Sequence, residues 1–139
     1  MPLRIRKRRV GIFIAISLGA STTRAADTLM ACDTSLGQQV FALCSACHTL
    51  QPGEPAREGP NLSGVIGSTA GSHDKSFKYS PALAGSKWRW DAATLDKFLT
   101  NPRRALPGTT MTFIGLKAAS ERAAVACYLQ AATGTRARA

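Results

Sequence analysis

Two of the chain's four cysteines are separated by two residues and followed at once by a histidine, in Cys44-Ser45-Ala46-Cys47-His48. No other feature constrains the fold as much, because C-x-x-C-H is the spacing by which a chain holds haem covalently. Each thiol can add to one vinyl group, and a two-residue gap on a helical turn matches the distance between the vinyls. The adjacent imidazole then lies under the iron. Aromatic residues make up only 6% of the chain, so a buried non-protein group would supply core volume that the side chains do not.

Three other chemistries use the same residue types. A redox dithiol needs no histidine and normally follows a strand in a βαβ pattern, which this region lacks. A zinc site at Cys44, Cys47 and His48 needs a fourth ligand, for which His73, Cys127 or Cys32 remain. A disulfide between Cys44 and Cys47 would close a very short, strained ring.

The length of 139 residues predicts one domain. Hydrophobic content of 45% against 19% charged residues excludes a disordered chain. The net charge of +10 invites a nucleic-acid partner until the charges are located. Arg4, Arg6, Lys7, Arg8, Arg9 and Arg24 all precede the first acid, Asp27, and residues 26–139 hold twelve basic against eight acidic residues, a charge of +4. That suits weak steering toward an acidic partner and not nucleic acid, which needs a dense basic stripe with interleaved aromatics.

Basic residues 1–9, the uncharged apolar run 10–20 and the mostly small or polar stretch 21–26 have the order of a secretory signal peptide. Eleven residues reach about 16 Å as a helix, too short for a bilayer core of roughly 30 Å. We therefore expect a signal peptide over 1–25, cleaved near Ala25, a single domain over 26–139, export to the periplasm and no stable membrane insertion. Arg8-Arg9 also fits a twin-arginine signal in part, and Leu29-Met30-Ala31-Cys32 a lipoprotein cleavage box in part.

If one iron position is filled by His48, the sixth decides between ligand activation and electron transfer. Met30 lies beside the signal peptide. Met111 lies beyond a Pro107-Gly108 turn, a place where regular structure does not need a flexible gap-filler. Met111 is therefore the expected sulfur ligand.

The remaining pattern is helical, without repeat, heptad or strand alternation. The first helix is expected from Thr34 to Cys47, capped by Asp33 or Thr34. A second is capped by Asp91, buries Leu95, Phe98 and Leu99 on one face and ends at Asn101-Pro102. The last starts near Ser120, buries Val125, Tyr128, Leu129 and Ala132, and stops by Gly134. Residues 49–87 read as loops, and a stretch so long needs something to wrap.

In order along the chain stand Cys44 to His48, Gly59-Pro60-Asn61-Leu62-x-Gly64, Tyr79, Trp90, Leu95 to Leu99, Asn101-Pro102, Pro107-Gly108-Thr109-x-Met111-x-Phe113-x-Gly115 and Tyr128-Leu129. Collinear motifs of this kind, from about Leu36 to Leu129, resemble the class I cytochrome c family, in its mitochondrial-like branch that includes bacterial periplasmic proteins. The resemblance implies an all-α fold of a few helices and long loops around one haem c attached through Cys44 and Cys47. It implies that the Pro60 carbonyl accepts from His48 Nδ1, that Tyr79 and Trp90 hydrogen-bond a haem propionate, and that Phe113 shields the haem edge on the Met111 side. It also implies a basic ring of Arg103, Arg104 and Lys117 at that edge, a solvated charged face being the other reading.

Several positions depart from the family pattern. Phe98 stands where a tyrosine often approaches the methionine sulfur, Ser68 where an arginine often lies near the inner propionate, and Leu83 where an asparagine is frequent. The stretch from Phe41 to Cys44 is one residue shorter than usual, so the contact between first and last helices is expected to be shifted. Cys32 and Cys127 flank the terminal helices that cross in this family. Either they form a disulfide, or Cys127 is a small helix hydrophobe and Cys32 a free thiol. His73 reads as a solvated surface histidine, with a place near a propionate as the alternative.

The expected function is that of a monomeric single-haem carrier, not an enzyme. It would pass one electron between redox proteins such as a cytochrome bc complex, an oxidase, a reaction centre or a dehydrogenase. The rival is a haem sensor or peroxidase-like protein with a labile sixth ligand.

Overall fold

The computed structural model describes residues 32–132. The expected signal segment 1–25, Met30 and the stop at Gly134 lie outside those residues.

Asp33 accepts the Leu36 N–H on Oδ1 at 2.8 Å, and from this cap helix α1 runs over Thr34–Cys44. It stops at Cys44 and not at Cys47, because the chain tightens there. Cys47 N–H and His48 N–H both donate to the Cys44 carbonyl, at 3.0 and 2.9 Å. Helix α2, Pro81–Gly85, is a single turn with Ser80 as its cap and Pro81 at its first position, where a missing N–H costs nothing. Helix α3, Ala92–Thr100, starts from the Asp91 cap and buries Leu95, Phe98 and Leu99. Asn101-Pro102 ends it as expected, yet the same pair starts α4, Pro102–Ala105, with the Asn101 side chain accepting the Arg104 N–H. Helix α5 spans Ala119–Ala132.

The core is a crossing of α1 on α5 with α3 packed beside it. Val40 and Phe41 of α1 meet Val125 and Leu129 of α5 in one cluster with Leu95, Phe98 and Leu99. Gly37 makes the crossing tight, since a Cβ there would meet the Ala124 carbonyl oxygen and Tyr128 Cβ. Phe41 and Tyr128 pack at a tilt four residues further on, with ring centroids 5.5 Å apart. The contact thus forms upstream of the short Phe41-to-Cys44 stretch. On α5 the buried residues are Ala124, Val125, Ala126 and Leu129. Tyr128 is half-buried and Ala132 exposed, contrary to expectation, because the start of α1 borders the last turn of α5 across a shallow surface cleft and does not cover it.

A disulfide joins Cys32 to Cys127, with Cα atoms 5.6 Å apart and a sequence separation of 95 residues. The two readings left open by the sequence are thereby decided. Between α1 and α3 the chain is almost wholly turn, apart from α2 and a bridge between Thr69 and Arg89. No strand forms among the described residues.

Candidate functional site

The turn that ends α1 places Cys44, Cys47 and His48 together along a cleft of about 320 Å3. The loop after it clamps that turn. Gly59 N–H donates to the Cys47 carbonyl at 2.9 Å, and Arg57 Nη1 to the Ser45 carbonyl at 3.1 Å. Gly59 also lies flat against the imidazole of His48, where a Cβ would strike the ring. Buried Asn61 holds the loop in shape, its Nδ2 donating to the carbonyls of Gln51 and Glu54, each at 2.8 Å, and its Oδ1 accepting the Ser63 N–H.

His48 Nδ1 lies 2.8 Å from the Pro60 carbonyl. A carbonyl oxygen only accepts, so Nδ1 carries the proton and Nε2 is left as a lone pair on a ring that lines the cleft. Burial lowers the His48 pKa below the ordinary imidazole value, and the bond to Pro60 partly opposes it. The neutral form is the one that ligates a metal.

A second segment, leaving α4, reaches the same cleft. Gly108 turns the chain, with Thr109 N–H donating to the Leu106 carbonyl at 3.1 Å, and Met111 N–H donates to Thr109 Oγ1 at 3.3 Å. Met111 and Phe113 are half-buried and both line the cleft. The segment is then tied back to α3, Leu116 N–H donating to the Leu99 carbonyl at 2.7 Å. Gly115, at φ +104, sits against the Thr100 carbonyl where no side chain fits.

The rest of the lining is apolar, with Leu83, Trp90, Leu95, Phe98, Val125 and Leu129 among its members. Trp88, Trp90 and Phe98 form an aromatic group with centroids 5.2 to 6.5 Å apart. Phe98 brings no hydroxyl to the cleft, and Leu83 no amide. Ser68 is absent from the lining and its Oγ donates to the Val65 carbonyl at 2.6 Å. Tyr79 lines the cleft, and its oxygen accepts the Asp74 N–H at 2.9 Å. Burial raises the Tyr79 pKa, so its hydroxyl keeps its proton.

His73 is not the solvated histidine its polar neighbours suggested. It is half-buried, lines the cleft and is held by the Ser63 carbonyl, 2.7 Å from Nε2. The segment Gly71-Ser72-His73-Asp74-Lys75 carries no local sign of this burial. It results from the loop folding back on residues 60–64, where Asn61 N–H donates to Asp74 Oδ2. Arg103, Arg104 and Lys117 are exposed around the methionine segment.

The donor set fits two of the rival chemistries poorly. Among the described residues no group of three or more His, Cys, Asp or Glu could hold a metal ion, and Cys32 and Cys127 are paired with each other. Burial and the neighbouring Cys47 push the Cys44 thiol up to about 11, whereas a reactive dithiol needs a lowered pKa. Apolar walls, with two thiols and an imidazole in one segment and a thioether in another, instead fit a haem.

Comparison with known proteins agrees. The family model described as cytochrome c matches residues 34–133. The cytochrome c2 of Rhodomicrobium vannielii is 43% identical over 112 residues, covering 81% of this chain and 89% of that protein. The cytochrome c2 of Rhodoblastus acidophilus is 41% identical over 97 residues, covering 70% of this chain and 90% of that protein. Among solved structures, cytochrome cH from Methylobacterium extorquens superposes with a TM-score of 0.67 at 35% identity, covering 71% of this chain and 98% of that one. The chain belongs to the cytochrome c family, as an all-α class I electron carrier and not an enzyme.

Proposed function

We propose that this protein carries one haem c, attached through Cys44 and Cys47 and ligated by His48 and Met111, and shuttles single electrons between redox proteins in the periplasm. The observation that carries this reading is the commitment of His48 Nδ1 to the Pro60 carbonyl. It leaves Nε2 as the ligating nitrogen in an apolar cleft that Met111 also lines. Haem, when bound, supplies one iron that exchanges a single electron.

The chain's own contribution is rigidity and exclusion of water. Pro60 and Gly59 hold the imidazole on two sides, and such an outer contact fixes ring orientation and donor strength. The methionine segment is fastened by Thr109 on one side and by the Leu116–Leu99 bond on the other. Both ligands therefore stay in place when the charge on the site changes, which is what a carrier needs. Phe113 and the aromatic group around Trp90 close the cleft to solvent. Residues 1–25 serve as the export signal, and 26–139 as the working domain. The exposed Arg103, Arg104 and Lys117 are suited to an acidic partner face, of the kind a cytochrome bc complex, an oxidase, a reaction centre or a dehydrogenase could present.

The test is to produce the protein with cytochrome c maturation machinery and denature it to see whether haem stays attached. The expected native protein has a ferric methionine-sulfur charge-transfer band and is inert to carbon monoxide. Met111→Ala should lose the band and bind carbon monoxide. An unchanged spectrum in Met111→Ala would remove Met111 from the iron, and a wild-type protein that binds carbon monoxide readily would move the assignment to a ligand sensor or peroxidase-like protein.

A further inference from the structure

Beyond Met111 the chain runs without regular structure until α5 begins at Ala119, so whatever fixes this stretch fixes the Met111 side of the cleft. At its near end the hold is the Gly108 turn and Thr109. At its far end the hold converges on Leu116, whose side chain is buried in the core and whose N–H donates to the Leu99 carbonyl of α3 at 2.7 Å. The carbonyl of the same residue is taken by α5. Arg122 lies in the first turn of that helix, where side chains lean toward the helix start, so its long stem reaches back over the chain that enters α5. One nitrogen, Nη1, donates to the carbonyls of Leu116 and Lys117, each at 2.8 Å. Nε donates to Asp96 Oδ1 of α3 at 2.7 Å.

Pairing with Asp96 does not account for this arrangement. The Arg122 side chain is 11% exposed and that of Asp96 51%, and an ion pair open to water on one side contributes little. A charge drawn out of water is costly unless its donors are used, and two of the donations go to the backbone just beyond Met111. A lysine has the charge but not the planar fork that serves two carbonyls and a carboxylate together.

Resting on the haem-carrier reading above, we propose that Arg122 is a positioning residue for Met111, a latch on the far end of the methionine segment that keeps the thioether at the iron and the sixth position closed to other ligands. With both ends held, Met111 leaves its place only by distorting the span between Thr109 and Leu116. Without the latch the carbonyls of Leu116 and Lys117 lose their donor, and water takes its place beside a core residue. The hold at that end weakens to one backbone bond and the Leu116 side chain. These still bring Met111 back, so the resting ligand is unchanged, but it is away more often. Arg122 thereby separates a carrier, whose ligands stay bound, from a ligand-binding protein of the same fold.

The experiment adds imidazole to the haem-loaded ferric protein and follows the loss of the methionine-sulfur band, since the entering ligand needs the position that Met111 holds. Wild type, Arg122→Ala, Arg122→Lys and the Cys32→Ser/Cys127→Ser double variant are compared, with denaturant unfolding of each. The double variant controls for stability alone, because removing a cross-link acts mainly on the unfolded chain. All four proteins are expected to show the band at rest. Imidazole should bind faster and more tightly in Arg122→Ala by about ten- to a hundred-fold, the range of a hydrogen bond from a charged donor. The rise should be smaller in Arg122→Lys and absent in the double variant, although its unfolding midpoint falls as well. Wild-type imidazole binding in Arg122→Ala, or an equal rise in the double variant, would overturn the inference and leave the carrier intact. If Arg122→Ala does not fold, Arg122→Lys decides: faster binding supports the latch and a wild-type rate overturns it. A wild-type protein without the methionine-sulfur band would remove the Met111 ligand, and this inference with it.

Discussion

Replacing Gly37 by alanine tests whether the α1–α5 crossing is set by direct backbone contact. The added Cβ would sit 2.6 Å from Tyr128 Cβ and closer still to the Ala124 carbonyl oxygen. An ordinary carbon–carbon contact is about 3.5–4.0 Å, so the helices must part by about 1 Å. Neither neighbour is the far end of a flexible side chain, so the shift falls on the backbone of α5 and loosens the Phe41–Tyr128 pair. Overpacking of this kind costs about 1–3 kcal/mol, and weakening an aromatic pair up to about 1 kcal/mol more. Against this, alanine in a helix is favoured over glycine by about 1 kcal/mol. The terms sum to a loss of between about 0 and 3 kcal/mol, with a central expectation of about 1.5 kcal/mol. It would be read as a lower denaturant midpoint at unchanged slope in the haem-loaded protein, or a melting temperature lower by roughly 4–8 °C per kcal/mol. Gly85→Ala is the control, since no atom lies within 4 Å of a Cβ there, and it should be neutral or slightly stabilising. A Gly37→Ala protein as stable as wild type would refute the contact argument.

Opening the Cys32–Cys127 disulfide by double serine substitution releases a closed loop of 95 residues, for which chain entropy gives an upper figure of about 4.7 kcal/mol. Chemical unfolding should show a loss of about 2–4 kcal/mol, and a loss below about 1 kcal/mol would mean that the ends are held by packing alone. Arg122 donates from Nη1 to the carbonyls of Leu116 and Lys117, each at 2.8 Å, as well as pairing with Asp96. Arg122→Ala should therefore cost about 1.5–3 kcal/mol, while Asp96→Asn, which removes only a half-exposed ion pair, should cost under about 1 kcal/mol; equal losses would contradict this division. Asp74, with its carboxyl held below the ordinary carboxylate range by Ser76 and Asn61, stabilises the fold above that range and loses the contribution as pH falls through its folded pKa. Asp74→Asn should thus flatten the acid limb of stability below about pH 4, and an unchanged limb would show that other carboxylates carry it.

What the sequence made legible was whatever is local. Asp33 and Asp91 stand directly before apolar periodicity, and both became caps. The C-x-x-C-H pattern of Cys44 to His48 is written in five consecutive residues. The short helices were missed because one turn has no periodicity to read. Asn101-Pro102 is at once the stop of α3 and the start of α4, since an asparagine that caps and a proline that needs no N–H donor serve either role. The cysteine pairing turned on a Cα separation that only the fold supplies. The same holds for His73 and for the glycines. A buried helix glycine reads as a weakness until Ala124 is found against it, and Gly59 reads as a turn residue until the imidazole of His48 is found there. In a chain whose middle third is loop, position is set by a few polar side chains acting across ten or more residues, such as Asn61 on Gln51 and His73 on Ser63. Those contacts leave no pattern in the sequence. They nevertheless decide which nitrogen of each histidine is engaged, Nδ1 of His48 by Pro60 and Nε2 of His73 by Ser63.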